Sequence, residues 1–171
     1  MHCDAQPHRV RARICKTNQE FCMNSITVTL PSPVSANVYW RTRVVKNMAM
    51  TYVSAEAREF KRQVLLALIA AGVTSPFPGR VAVSLVLYPH RPLDWAKRMQ
   101  KLGAAWDDGV RSIDLDNSIK VTLDAMKGIA FHDDVWVRRI QAERAEPDGQ
   151  ARVVVTITAI ETEQPQAAMF A

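Results

Sequence analysis

From Ser25 to Leu30, Ser and Thr alternate with Ile, Val and Leu, the period-two pattern of a strand with one buried face. Pro31-Ser32-Pro33 ends it, because proline removes the backbone donor that a strand needs. The stretch through Asn37, Tyr39, Trp40, Arg41 and Arg43 reads as a loop. At Ser54 the period becomes that of a helix. Ser54 offers an N-cap hydroxyl, Glu56 sits in the first turn where the helix dipole favours an anion, and Phe60, Val64, Leu65 and Leu68 recur at helical spacing as a core stripe. The helix runs to about Ala71, with Gly72 just past its end.

Pro76-Phe77-Pro78-Gly79 is a turn, and Val81 to Tyr88 is a second strand with Val81, Val83, Leu85 and Leu87 on one face. The segment from Pro89 to Gly109 follows neither period and is rich in Arg, Lys and Trp, so it reads as irregular. A second helix is predicted over roughly Asn117 to Lys127, ended by Gly128, and a third strand from Val135 to about Glu146. Glu146-Pro147-Asp148-Gly149 is expected to turn a hairpin into a last strand, Ala151 to Ile160, because Asp-Gly accepts the positive φ of a tight turn. The predicted order is β-α-β-α-β-β, an α+β fold with a small mixed β-sheet and two main helices. Residues 23–161 form its one domain, flanked by an N-terminal arm, 1–22, and a loose tail, 162–171.

The chain has 171 residues, 48% hydrophobic and 23% charged, enough to bury a real core. Its net charge of +5 and pI near 9.4 suggest a polyanionic partner, as supporting evidence only. The longest apolar run, Val64 to Ala71, is too short to span a bilayer, and Met1 to Arg13 lacks an apolar signal core. The three cysteines, Cys3, Cys15 and Cys22, all precede Met23 and form neither a disulfide framework nor, with His2 and His8, a standard zinc spacing. The arm carries Arg9, Arg11, Arg13 and Lys16, which suit weak phosphate contacts, yet a chain starting at Met23 is expected to fold.

The chemistry concentrates in two short stretches. Asp114-Leu115-Asp116-Asn117 with Lys120 stands where an extended segment enters the second helix, and His132-Asp133-Asp134 where that helix gives way to a strand. The helix is expected to fold these ends back into one carboxylate cluster. Carboxylates that close resist ionising together, and a hard divalent cation with oxygen ligands removes the conflict. In a basic protein such a cluster points to metal-assisted chemistry on a phosphate backbone. On an extended segment Asp114 and Asp116 share a face, whereas a helix starting at Asp114 would set them about 200° apart, so the cluster requires the helix to begin near Asp116 or Asn117. Lys120, four residues after Asp116, lies on the same helical face, where it either touches a scissile phosphate or balances the acids. The plainer alternative is an N-cap Asp and a surface ion pair.

Taken together, these residues resemble the RusA-type Holliday junction resolvases, over about Met23 to Ile160. The resemblance rests on Ser25-Ile26-Thr27-Val28-Thr29-Leu30-Pro31, Asn37, Arg41 and Val53-Ser54-Ala55-Glu56. Its most specific part is Asp114-Leu115-Asp116-Asn117 with Lys120, Asp124-Ala125, Gly128 and Asp133-Asp134. It implies a RusA-like fold and a structure-selective endonuclease of DNA recombination and repair, dependent on Mg²⁺ with Mn²⁺ able to substitute. Such an enzyme acts as a homodimer that places paired nicks across four-way junction DNA, cytoplasmic and nucleoid-associated, with no membrane partner. Carried over by position, Asp114, Asp116 and Asp134 are the metal ligands and Lys120 the catalytic lysine. Asn117 supports the site, and Asp133 either binds metal through water or caps the turn.

Three departures from the family pattern stand out: Val34 replaces a proline, Leu123 replaces an aromatic, and Pro89 to Val110 is longer than the usual short basic link. In that longer segment Arg91, Trp95, Lys97, Arg98, Lys101 and Trp106 interleave charge with aromatic rings. That suits phosphate contact and base stacking, or else an excursion whose tryptophans pack on the body. Arg41 and Arg111 are further DNA-contact candidates, and Asp107-Asp108 reads as a turn. A less selective nuclease for flaps or other branched DNA and a catalytically inactive branched-DNA-binding accessory protein are the alternative readings.

Overall fold

The structure is a computed structural model, and it describes residues 25–161. The arm 1–22 with its cysteines, and the tail 162–171, lie outside the described residues. The elements in chain order are β1 (Ser25–Pro31), α1 (Ala36–Tyr39), β2 (Trp40–Val45), β3 (Met48–Val53), α2 (Ala55–Ala70) and β4 (Val81–Tyr88). They continue with α3 (Trp95–Leu102), α4 (Leu115–Met126), β5 (Val137–Arg144) and β6 (Arg152–Ala159). This is the expected α+β architecture with a small mixed sheet, to which the structure adds a short helix, a hairpin and α3.

Four strands form the main sheet in the order β1-β6-β4-β5. β6 runs antiparallel to both β1 and β4, while β5 runs parallel to β4. The alternation read from β1 and β4 places Ile26, Val28, Leu30, Val81, Val83, Leu85 and Leu87 on the buried face, with Val153, Val155 and Ile157 of β6 between them. α2 and α4 cover that face through Phe60, Val64, Leu68, Val121, Ala125 and Met126. On the other face, hydroxyl pairs such as Thr27 with Thr156 (2.8 Å) line β1 and β6, so one side of the sheet stays polar. The Ser54 hydroxyl accepts from Ala57 N as an N-cap, and Gly72 turns at φ 95°. Leu65, expected in the core stripe, faces outward.

Three expectations need correction. β5 and β6 do not form a hairpin, because β4 lies between them. β4 is apolar enough on its inner face to take the central position, so the 145–151 segment arches over its end, held by Ala145 N to Leu87 O and Arg91 N to Gly149 O. Gly149 is not among the glycines with positive φ. The loop read from Asn37 to Arg43 is a one-turn helix followed by the β2–β3 ribbon, which turns at Lys46 (φ 48°) and Asn47 (φ 60°). Within the segment read as irregular, Trp95 to Leu102 is helical, as its Ala, Lys, Arg, Met, Gln and Leu favour, and Gly103 stops it at φ 61°.

Candidate active site

β4, α4 and β5 form a strand-helix-strand unit, in which the crossover helix must run back along two parallel strands. The segment that leaves β4 and enters α4 therefore gathers at the carboxyl ends of the strands, the usual ligand-binding edge of such units. A cleft of about 430 Å³ opens there, lined by Ser35 and Asn37 from the α1 region, Tyr88 at the end of β4 and His90 just past it, and Arg111, Asp114 and Asn117. His90 was not singled out from the sequence; its position two residues past the end of a predicted core strand is the signal that would have found it.

Asp114 is the N-cap of α4, with extended backbone (φ −64°, ψ 143°), and the helix begins at Leu115. Asp116 thus falls in the first helical turn, one to two residues deeper than the extended-face arrangement required. The non-helical ψ at Asp114 takes its side chain out of the helical spiral, so the wide divergence expected of two helical positions does not apply to this pair. The Asp114 carboxylate makes no capping hydrogen bond; among the described residues it accepts only from the Asn117 amide, at 3.3 Å. Asp116 and Lys120 are exposed, and among the described residues Asp114, Asp116 and Lys120 take part in no ion pair. Of the plainer alternative, the N-cap position of Asp114 is found and the surface pair between Asp116 and Lys120 is not. The helix N-terminus offers unpaired backbone N–H groups and a positive dipole end beside these acids, which favours anions there.

Asp133 and Asp134 do not join them. α4 separates the two ends: its 12 residues span about 18 Å. After its C-cap at Lys127 a tight turn closes with Gly128 N donating to Phe131 O, and β5 starts opposite Val81, at the amino end of β4. Lys127 Nζ lies 2.8 Å from Asp133 and 3.5 Å from Asp134. The interaction with the neighbouring Asp134 carboxyl, and the hydrogen bonds accepted from Lys127 and Val135 N, hold the Asp133 carboxyl well below the usual carboxylate range, and Asp133 in turn raises Lys127. Asp133 also accepts from Val135 N, so it caps the turn into β5. Among the described residues, no three His, Cys, Asp or Glu side chains stand close enough to hold a metal ion. The carboxylate oxygens of Asp114 and Asp116 are of the kind a hard cation takes, but two side chains fill only part of its coordination, and Asp134 stands at the far end of the helix beside Lys127.

The basic residues spread around this edge. Arg111 lines the cleft. Arg91 lies over the Trp95 ring (4.9 Å), and Arg98 pairs with Asp94 (2.9 Å) on α3, while Lys97 and Lys101 are exposed on it. Trp106 is not available for stacking: it is 2% exposed and donates its indole N–H to Glu146 (2.9 Å). Arg144 ties the same segment down through the carbonyls of Asp107 and Val110, and Asp107-Asp108 lies in turns. Leu123 packs against the core. Arg41 is on the β2–β3 ribbon, opposite Tyr52.

Residues 31–158 match the family model described as Endodeoxyribonuclease RusA. No curated protein matches the chain. Among the described residues, no helix is long and apolar enough to cross a membrane.

Proposed function

The chain belongs to the RusA endodeoxyribonuclease family, and we propose that it resolves four-way DNA junctions by paired, metal-dependent nicks, as a homodimer whose two active sites are each shared between protomers. The observation that carries the reading is the separation of the acids by α4. Asp114 and Asp116 sit at one end of a helix about 18 Å long and Asp134 at the other, too far apart for one cation with metal–oxygen distances near 2.1 Å. A two-fold dimer that sets Asp114 and Asp116 of one chain against the partner's Asp134 completes the ligand set twice. Val135 and Trp136, exposed in the turn that follows Asp134, and Ile140, exposed on the edge strand β5, supply apolar surface suited to such a contact.

Mg²⁺, or Mn²⁺ in its place, would supply an activated water and charge neutralisation at the phosphate. The protein's own groups do the rest. Asp114 is oriented by the Asn117 amide, and Asp116 projects from the first turn beside it. Lys120, free of ion pairing among the described residues, is placed to meet the charge that grows on the phosphoryl oxygens in the transition state. Arg111 and His90 in the cleft hold the strand that is cut. Lys97 and Lys101 on α3 add sequence-independent phosphate contacts. Two sites related by a two-fold axis suit paired cuts on a nearly two-fold junction, the chemistry expected in DNA recombination and repair.

The test is a labelled synthetic four-way junction incubated with the protein, with and without Mg²⁺, beside a flap and a linear duplex. Paired nicks that need the metal and favour the junction are expected. Binding without nicking would make this an inactive accessory protein, and equal cutting of the flap a less selective nuclease. Asp116→Asn is expected to abolish nicking while junction binding stays intact or tightens, since a negative charge facing DNA is removed.

A further inference from the structure

Among the described residues the β2–β3 ribbon pairs with no other strand, and apart from the half-buried Val45 and Val53 every residue of its strands is exposed. An isolated two-stranded hairpin is marginal in water, and large apolar side chains left open on one mark a surface that meets something. Here Val44 is 70% exposed and Met48 66%, both within two residues of the turn, Val44 on one face of the ribbon and Met48 on the other. From Trp40 to Val53 the sequence contains Arg41, Arg43 and Lys46 and no acidic residue. The cross-strand register sorts the shank: Arg41 faces Tyr52 and Arg43 faces Met50 on one side, while Thr42 and Thr51 join hydroxyls at 3.1 Å on the other. The Arg43 guanidinium lies 5.8 Å over the Tyr52 ring, which holds its charge along the shank.

The ribbon is firm at both ends. Lys46 and Asn47 both take positive φ, the geometry of a tight two-residue turn that matches strand twist. At the base, Ser54 N donates to Tyr39 O (2.9 Å), and the Trp40 ring meets buried Tyr39 edge-on at 5.3 Å. That base follows directly on α1, whose Asn37, with Ser35 just before it, lines the cleft that holds Asp114. Six residues per strand let the tip stand about 20 Å from that base. A two-stranded ribbon is narrow enough to enter a DNA groove, and apolar side chains inserted between bases pry them apart.

Resting on the function proposed above, we infer that the β2–β3 ribbon is a DNA wedge: Arg41 and Arg43 ride the phosphates of a junction arm, and Val44 and Met48 enter the branch point and hold its bases apart. A branch point is the place in such a substrate where bases can be unstacked at little cost, so the ribbon contributes to junction preference as well as to affinity.

The experiment uses the full-length protein in Ca²⁺ and a four-way junction with 2-aminopurine beside the branch point. Binding of wild type is expected to raise the fluorescence, because the base leaves its stack. Val44→Ser with Met48→Ser, both on exposed positions, should abolish the rise and weaken junction binding roughly tenfold while linear duplex binding changes less than about twofold. Val44→Ile with Met48→Leu, which keeps the tip apolar, should restore the rise. Arg41→Gln with Arg43→Gln should lower the salt slope of binding by about two units. Thermal melting of each variant checks that the fold survives. A rise that is unchanged in the serine variant, or a serine variant that binds DNA as before but has lost its dimer, overturns the wedge; the second result would make the ribbon a contact between copies. Because the readout needs no cleavage, it is separable from the enzymatic reading. A wild-type protein that opens the junction but fails to nick it in Mg²⁺ would keep the wedge and remove the nuclease.

Discussion

A site shared between protomers can be tested by complementation. Two single variants, Asp116→Asn and Asp134→Asn, are each expected to be inactive. In a mixed dimer the arithmetic differs between the two geometries. If all ligands came from one chain, each half of the mixed dimer would carry a defect and nothing would cut. If Asp114 and Asp116 work with the partner's Asp134, one of the two sites collects both defects and the other is fully wild type. Random reassortment of equal amounts makes half the dimers mixed, each with one good site of two, so about a quarter of the wild-type site count returns. The second case is favoured because α4, about 18 Å long, stands between Asp114 and Asp116 at its start and Asp134 beyond its end. Neither substitution threatens the fold: both carboxylates are exposed, and the Lys127 contact of Asp134 is a 3.5 Å surface pair of little worth. The assay is a four-way junction labelled on each strand in turn, cut by mixed dimers isolated through two different tags. Nicks in one strand at a time, at about half the wild-type rate per dimer, are expected. A mixed dimer no more active than either parent would refute the shared site.

Three further outcomes follow from the same geometry. Lys120→Ala should cut the nicking rate at saturating enzyme far more than junction affinity, since its charge is used mainly in the transition state; equal losses in the two would make it a plain phosphate contact. Lys97→Ala with Lys101→Ala should weaken binding to every DNA substrate and lower the salt slope by about two units, measured by anisotropy titration at several salt concentrations; an unchanged slope would remove α3 from the DNA surface. Trp106→Ala should cost about 3–5 kcal/mol in a denaturant melt, because it empties a buried site and strips Glu146 of its donor, whereas Trp95→Ala should cost far less stability and appear instead as weaker junction binding.

What the sequence made legible depended on burial. β1, β4, α2 and α4 each bury one face, so their periods show in the order of residues, and Ser54 announces the start of α2 through a cap that the structure forms. The β2–β3 ribbon buries neither face, so Arg41 to Val44 carry no polar-apolar alternation; the trace it left is Asn47, a residue that tolerates positive φ, between two runs rich in Val, Thr, Tyr and Met. α3 was hidden for the same reason, since none of its residues is buried. The Asp148-Gly149 turn misled because local turn chemistry says nothing about which strand takes the centre of a sheet, and β4 takes it.

The candidate site shows a sharper limit. The acidic residues and the lysine could be chosen from the sequence by type and spacing, but whether they meet in one chain depends on strand direction. Where the strands on either side of a helix run antiparallel, the segments that flank it can return to one edge of the sheet. A helix between two parallel neighbours is a crossover, and its ends are held at opposite edges of the sheet. β4 and β5 pair in parallel from Val81 with Val137 to Leu87 with Arg144, so Asp114 is fixed at the carboxyl edge and Asp134 at the amino edge. A motif that reads as one cluster along the chain therefore becomes two separate acidic groups in space. If all three carboxylates serve one cation, as proposed, the parallel pairing of these two strands is what requires a second copy of the chain.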